Sequence, residues 1–266
     1  MSFTDYIKKM LTGQSRISDR ADHSASDAAK TKAEKSGPTI LAIDTASTSL
    51  STAVLINGEV KGELYEDMER GQAEHLMGFI AKTLEIAKVE LADLDGIAVT
   101  VGPGAFTGMR IGLSTARALG LARKIPVVGV SSLEAVAYGV TERDHQGRNI
   151  LVALDSKRNE IFAQAFDGKK RPLSNAECVA PRQALMMAPP GDTLLAGDAT
   201  PRLLTAAAHA PDAFYDCTAP GLPRAGNVAR IAAARWETGE NLAPVPLYLR
   251  APDARRIEDQ GPQKKK

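Results

Sequence analysis

Two carboxylates sit where α/β proteins often do chemistry. Asp44 ends the apolar run Ile40-Leu41-Ala42-Ile43 and is followed by Thr45; Asp155 ends Leu151-Val152-Ala153-Leu154 and is followed by Ser156. A carboxylate and a hydroxyl at the end of a buried strand suit Mg²⁺ held through water, and with it a nucleotide's phosphates. The same pair also suits a plain turn that the aspartate caps, and spacing leaves both readings open. Between them lies Gly102-Pro103-Gly104-Ala105-Phe106-Thr107-Gly108-Met109-Arg110-Ile111-Gly112. The apolar run 97–101 before it reads as a buried strand, and 107–123 after it reads as a helix. Glycine permits positive φ and close backbone approach, and the first turn of a helix offers free N–H groups to an anion. The stretch is therefore either a phosphate loop or a strand-to-helix turn that binds nothing. It is not a P-loop, because no Gly-Lys-Ser/Thr follows.

The helix after the turn carries a second pattern. Gly108, Gly112, Ala116 and Gly120 are spaced four apart and form one nearly bare stripe. A glycine inside a helix costs about 1 kcal/mol relative to alanine, so the stripe implies close contact, either with the chain's own sheet or with a partner's helix. Other chemistries have little support. His23, His75, His145 and His209 lack a His or Cys at metal-ligand spacing. Gly129-Val130-Ser131-Ser132-Leu133 does not complete a Gly-x-Ser-x-Gly elbow. Cys178 and Cys217 fit no metal or redox spacing and read as free thiols of a reducing cytosol.

The elements that must position these residues follow from periodicity. Runs 39–45, 50–56 and 59–65 are strands, the last two joined by Asn57-Gly58, a hairpin turn. A helix spans 72–88 with Leu76, Phe79, Ile80, Leu84 and Ala87 on one stripe. Strand 127–130 and a helix capped by Ser131 or Ser132 come after the glycine helix. The pattern then restarts at 151 with a strand, an Asp plus hydroxyl, a second strand over 160–166 and a turn at Asp167-Gly168. This is an internal repeat of two α/β lobes, residues 38–145 and 146–250. The second is broken into short helices and strands by Pro189-Pro190 and Pro211. Residues 1–37 read as a flexible extension with one short amphipathic helix over 2–11, either a docking segment or a frayed tail. Residues 251–266 read as a polar tail ending in Lys264-Lys265-Lys266. A net charge of +1 implies no broad basic surface, so nucleic acid would need a local patch or a partner's patch. No apolar run reaches the ~20 residues of a membrane span, and the N-terminus lacks a signal-peptide apolar core; a cytoplasmic protein is expected.

Taken together, Ile40-Leu41-Ala42-Ile43-Asp44-Thr45-Ala46, Glu74-His75, the glycine stretch, Gly129-Val130-Ser131-Ser132-Leu133 and Tyr248-Leu249-Arg250 resemble the TsaB (YeaZ) family. The resemblance runs over about residues 39–250, densest over 39–140, and excludes 1–37. It implies a two-lobe fold of the actin-like, sugar-kinase-like ATPase class (ASKHA), with Asp44-Thr45 and Asp155-Ser156 at the two phosphate loops. It also implies a non-catalytic role. The related catalytic subunit TsaD holds a metal with two histidines four apart, and the matching positions here are Ser132 and Val136, which do not replace them. No working cofactor is then expected, Asp44, Thr45, Asp155 and Ser156 being vestiges of an ATP/ADP–Mg²⁺ site. The implied partners are a TsaD-like subunit, a TsaE-like ATPase and, through the complex, tRNA, which receives a threonylcarbamoyl group on the adenosine next to the anticodon. Pairing through first-lobe helices implies contacts from His75, Leu76, Phe79, Gly108, Arg110, Gly112 and Ala116, and self-association when the partner is missing. A bulky residue at Gly112 would then break pairing without unfolding the chain. Two other readings stand beside it: an active ATPase or small-molecule kinase, motivated by the two aspartates, and a glycoprotease-type peptidase.

Overall fold

Strand Thr39–Asp44 (β1) is buried on both faces, and that explains the architecture around it. Ser49–Ile56 (β2) pairs antiparallel with it and Glu59–Asp67 (β3) antiparallel with β2, while Gly96–Gly102 (β4) and then Val127–Ser131 (β5) add parallel on its other side, giving the order β3-β2-β1-β4-β5. The computed structural model describes residues 37–188, 193–208, 214–217, 219–236, 238–240 and 242–250. The expectations for the N-terminal extension up to residue 36 and for the tail 251–266 lie outside them.

One face of this sheet is covered by two helices, Gln72–Ala87 (α1) and Phe106–Arg123 (α2). Leu76, Ile80 and Leu84 of α1 and Leu113, Ala116 and Leu119 of α2 pack with Leu41, Ile43, Ile97 and Val99. Ser132–Gly139 (α3) and the single turn Glu142–His145 (α4) lead to the second sheet. There Asn149–Asp155 (β6) pairs antiparallel with Ile161–Phe166 (β7), which pairs antiparallel with Glu177–Val179 (β8). After helix Pro181–Met186 (α5), Thr193–Ala196 (β9) adds parallel to β6. After helix Thr200–Ala206 (α6), Phe214–Asp216 (β10) adds parallel to β9. Read from β8, the order is β8-β7-β6-β9-β10, the first sheet's order and polarity over again. Two α/β units with this strand order are the architecture of the actin-like, sugar-kinase-like ATPases. The repeat seen in the sequence is thus a repeat of whole sheets.

The grouping of 146–250 into one lobe does not describe the packing. Helix Ala225–Ala234 (α7) returns to the first sheet, where Ala225, Val228, Ala229, Ile231 and Ala232 cover Ile40, Ala42, Leu55, Ala98 and Val130. The physical reason lies in β1: its second apolar face needs a cover, and a small-residue helix can lie close to it. Side chains outside α7 cap its N-terminus. The Ser51 hydroxyl accepts from Ala225 N–H at 2.9 Å and Glu63 Oε1 from Gly226 N–H at 3.0 Å. Helix α3 sits between the lobes, with Leu133 and Val136 packed against Ile150, Val152 and Phe166.

Candidate functional site

The first aspartate is sealed in. Asp44 is fully buried at the end of β1, and its Oδ1 accepts from the Thr100 hydroxyl at 2.6 Å and from Ala46 N–H at 3.3 Å. Its Oδ2 makes no hydrogen bond among the described residues; the nearby Ser47 hydroxyl is engaged with Ser49 at 2.8 Å. Burial raises its pKa from 3.8 to about 6, with the Thr100 hydrogen bond opposing. The Thr45 hydroxyl is also spent internally, donating to the Gly108 carbonyl at 2.7 Å.

The second loop differs in its chemistry. Asp155 Oδ1 accepts from the Arg202 guanidinium and from Lys157 N–H, both at 3.0 Å, and the Lys157 ammonium lies 3.3 Å from Oδ2. Burial pushes the Asp155 carboxyl up, but Lys157 and Arg202 outweigh it and hold the pKa below the usual value. Asp198 Oδ1 accepts from Asp155 N–H at 2.8 Å, and its own pKa is raised by burial and by the neighbouring Asp155 charge. The Ser156 hydroxyl donates to the Glu160 carbonyl at 2.6 Å and closes its own turn.

The two loops do meet across a cleft, lined among others by Ser47, Pro103, Gly104, Asp155, Lys157 and Asp198, but its volume is about 70 Å³. Sites for drug-sized ligands run to about 300–1,000 Å³. The carboxylate facing the cleft, Asp155, is engaged by Arg202 and Lys157. Ser132, at one of the positions implied for a metal ligand, lines the cleft with its hydroxyl buried and unpartnered; Val136, at the other, is core. Ser131 stands at the N-cap of α3, but its hydroxyl caps nothing. Among the described residues no three of His, Cys, Asp or Glu are grouped to hold a metal ion.

The glycine stretch is explained by its own chain. A Cβ at Gly104 would collide with the Ala46 carbonyl oxygen, and one at Gly108 with that of Thr45. At Gly112 it would sit 2.5 Å from Thr45 Oγ1, and at Gly120 it would meet the Val127 side chain. The bare stripe lets α2 lie against the β1 loop and the sheet, and the Ala105 N–H bonds the Ala46 carbonyl at 2.7 Å. This corrects the expected partner interface. Gly108, Gly112 and Ala116 are buried inside the chain, and so is Leu76, at 1% exposure. Phe79 is half-buried against the core, while His75 and Arg110 are exposed.

The other side of the same helices is exposed. Gly78, exposed in the middle of α1, has nothing within 4 Å of where its Cβ would be. Ser114 and Ala118, four apart on α2, are also exposed, and Met77 and Ile111 are half-buried beneath. Toward the helix N-termini this surface opens into a cavity of about 620 Å³ that shares Ser47, Thr48 and Lys157 with the interlobe cleft and is also lined by Glu74, Thr107 and Ile111. Sequence reasoning passed over Gly78, Ser114 and Ala118. The visible signal was a glycine in the middle of a helix, off its apolar stripe.

The chain's likeness to known proteins agrees with this architecture. The family model described as TsaD, tRNA N6-adenosine threonylcarbamoyltransferase, matches residues 60–196. An uncharacterized protein of Mycobacterium tuberculosis is 35% identical over 226 residues, 82% of this chain and 95% of its own. The tRNA threonylcarbamoyladenosine biosynthesis protein TsaB of Haemophilus influenzae is 34% identical over 134 residues, 50% of this chain and 56% of its own. The structure of YeaZ from Pseudomonas aeruginosa superposes with a TM-score of 0.68 at 28% identity, covering 80% of this chain and all of that one. Among the described residues no helix is long and apolar enough to cross a membrane. The chain belongs to the TsaD family, on its TsaB (YeaZ) branch.

Proposed function

We propose that this protein is the non-catalytic subunit of a tRNA threonylcarbamoyladenosine complex, and that it docks a TsaD-like catalytic subunit on the outward surface of α1 and α2. The observation that carries the docking site is Gly78. A mid-helix glycine costs about 1 kcal/mol relative to alanine, and no contact within the described chain requires it. A partner helix crossing there would. Beside it, Ser114 and Ala118 keep the surface shallow, and Met77 and Ile111 supply apolar floor. The TsaB relatives, named for threonylcarbamoyladenosine biosynthesis, support the pathway. Ser132 and Val136 at the two positions implied for metal ligands support a role without transfer chemistry of its own. A TsaE-like ATPase and tRNA then join through the complex, and the same surface pairs two copies when the partner is missing.

The test is co-purification of the full chain with a TsaD-like partner. Gly78→Leu should weaken pairing by about fivefold or more, since overpacking costs about 1–3 kcal/mol. It should leave thermal stability unchanged or raised. Pairing equal to wild type would remove the docking site. A further reading, an active ATPase or kinase, is disfavoured by the buried Asp44 and the paired Asp155. Calorimetric titration with ATP or ADP and Mg²⁺ should give no heat of binding at millimolar nucleotide, and a saturable heat would restore that reading.

A further inference from the structure

Residues 242–249, Leu-Ala-Pro-Val-Pro-Leu-Tyr-Leu, leave α7 and cross both lobes. The segment begins beside the edge strand β5, where the Leu242 carbonyl accepts from Gly129 N–H at 2.7 Å. Five residues on, Leu247 N–H donates to the Val101 carbonyl at 2.8 Å. Helix α2 holds it from above: the Arg117 guanidinium donates to the Pro244 carbonyl, and Arg110 Nε donates to the Tyr248 hydroxyl at 3.1 Å. The Tyr248 ring stacks on Phe106 with centroids 5.3 Å apart, and the Arg110 guanidinium lies 3.8 Å over the same Phe106 ring. Leu247 packs into the first lobe's core, and Leu249 packs into the core that α3 shares with the second lobe.

The sheet is shaped to seat this segment. A Cβ at Gly129 would stand 2.7 Å from the Ala243 carbonyl oxygen and 3.0 Å from that of Leu242, and one at Gly102 would stand 3.2 Å from that of Leu247. Pro244 and Pro246 pre-set an extended backbone and remove two donors, so the segment cannot zip onto β5 as a full strand. It is held by a few separate contacts, and Leu242, Val245 and Tyr248 stay 43%, 53% and 42% exposed. Sparse, half-exposed contacts are those that open first. The Gly102–Ala105 turn that Leu247 and Tyr248 press on is also a wall of the interlobe cleft.

We propose that residues 242–249 are a releasable strap that braces the two lobes in their closed arrangement, so that the Phe106–Arg110–Tyr248 clasp controls the interlobe cleft. Releasing the clasp loosens the lobes about α3, which packs Leu133 and Val136 on the second lobe and Ala135 on the first. The test is amide hydrogen exchange on the full chain, comparing wild type with Tyr248→Ala and Arg110→Ala. Both side chains are exposed, so the fold survives. In each variant the amides of α3 and of β6 should exchange about tenfold faster, the loss of one hydrogen bond and one ring contact. Val245→Asp, at an exposed strap position away from the clasp, should leave them as in wild type. The proposal is overturned if faster exchange is confined to 242–250, or if Val245→Asp speeds α3 as much as Tyr248→Ala does.

Discussion

Replacing Asp44 by Asn should change how stability depends on pH, and the structure fixes both sign and size. The carboxyl is buried, with Oδ1 bonded to Thr100 and Ala46 and Oδ2 unpaired, and its pKa rises from 3.8 to about 6. A raised pKa in the folded state means that the folded chain prefers the protonated acid. The stability contributed by that proton is fully present below the unfolded pKa of 3.8 and is lost as pH rises through about 6. At 1.36 kcal/mol per pH unit the loss amounts to about 3 kcal/mol. Asn keeps the Oδ1 acceptor but does not titrate. Its buried amide N–H₂ lacks an acceptor and costs about 1–3 kcal/mol, equally at every pH. In urea unfolding, the variant should therefore be less stable than wild type near about pH 4 and gain on it by about 2 kcal/mol by about pH 7, the rest of the change lying below about pH 4. Taking the difference cancels the other titrating groups. A difference that stays constant from acid to neutral pH would refute the reasoning and place the Asp44 carboxylate in a solvated or charge-paired setting.

Two further perturbations separate packing from surface roles. Gly112→Val drives a side chain into Thr45 Oγ1 and should cost about 2–4 kcal/mol, seen as a drop in melting temperature of roughly 5–15 °C; an unchanged melting temperature would restore the stripe to a partner's use. Gly96→Val should push out the indole of Trp236, the chain's single tryptophan, whose ring edge would collide with the new Cβ. Its emission should shift to the red while far-ultraviolet dichroism is retained, and an unshifted emission would mean that the ring does not rest on β4.

The first lobe was largely legible because its elements are long and each carries one period. β2 and β3 alternate around an Asn-Gly turn, and α1 keeps a clear apolar stripe, so their bounds agree with expectation to within about two residues. In the second lobe β8 and β10 have three residues each, too few to show any period, and they exist because β7 and β9 offer open edges. The return of α7 to the first sheet was illegible for another reason: an alanine-rich helix fits either lobe, and only the uncovered face of β1 decides. At the site, sequence located both aspartates but not their state. Nothing in the spacing of Asp155 announces Arg202, which comes from α6 to occupy it. The small-residue stripe was seen, but a stripe names no neighbour; here the neighbour is Thr45 in the adjoining loop.

The two matching loops occupy equivalent places in the two sheets but hold their aspartates differently. A phosphate loop must leave backbone N–H groups and a solvated carboxylate facing open space. Here the first loop is drawn down onto α2 by the Thr45–Gly108 and Ala46–Ala105 hydrogen bonds, which bury Asp44. The second is neutralised by its own Lys157 and Arg202. Both aspartates are engaged by contacts inside the chain, and the sheet order around them is the same. The close approach of α2 to the first loop presents its opposite side, with Arg110, Ser114 and Ala118, as a firm platform next to α1. A helix pressed that tightly to its sheet suits rigid docking, because little ordering remains to be done when a partner arrives.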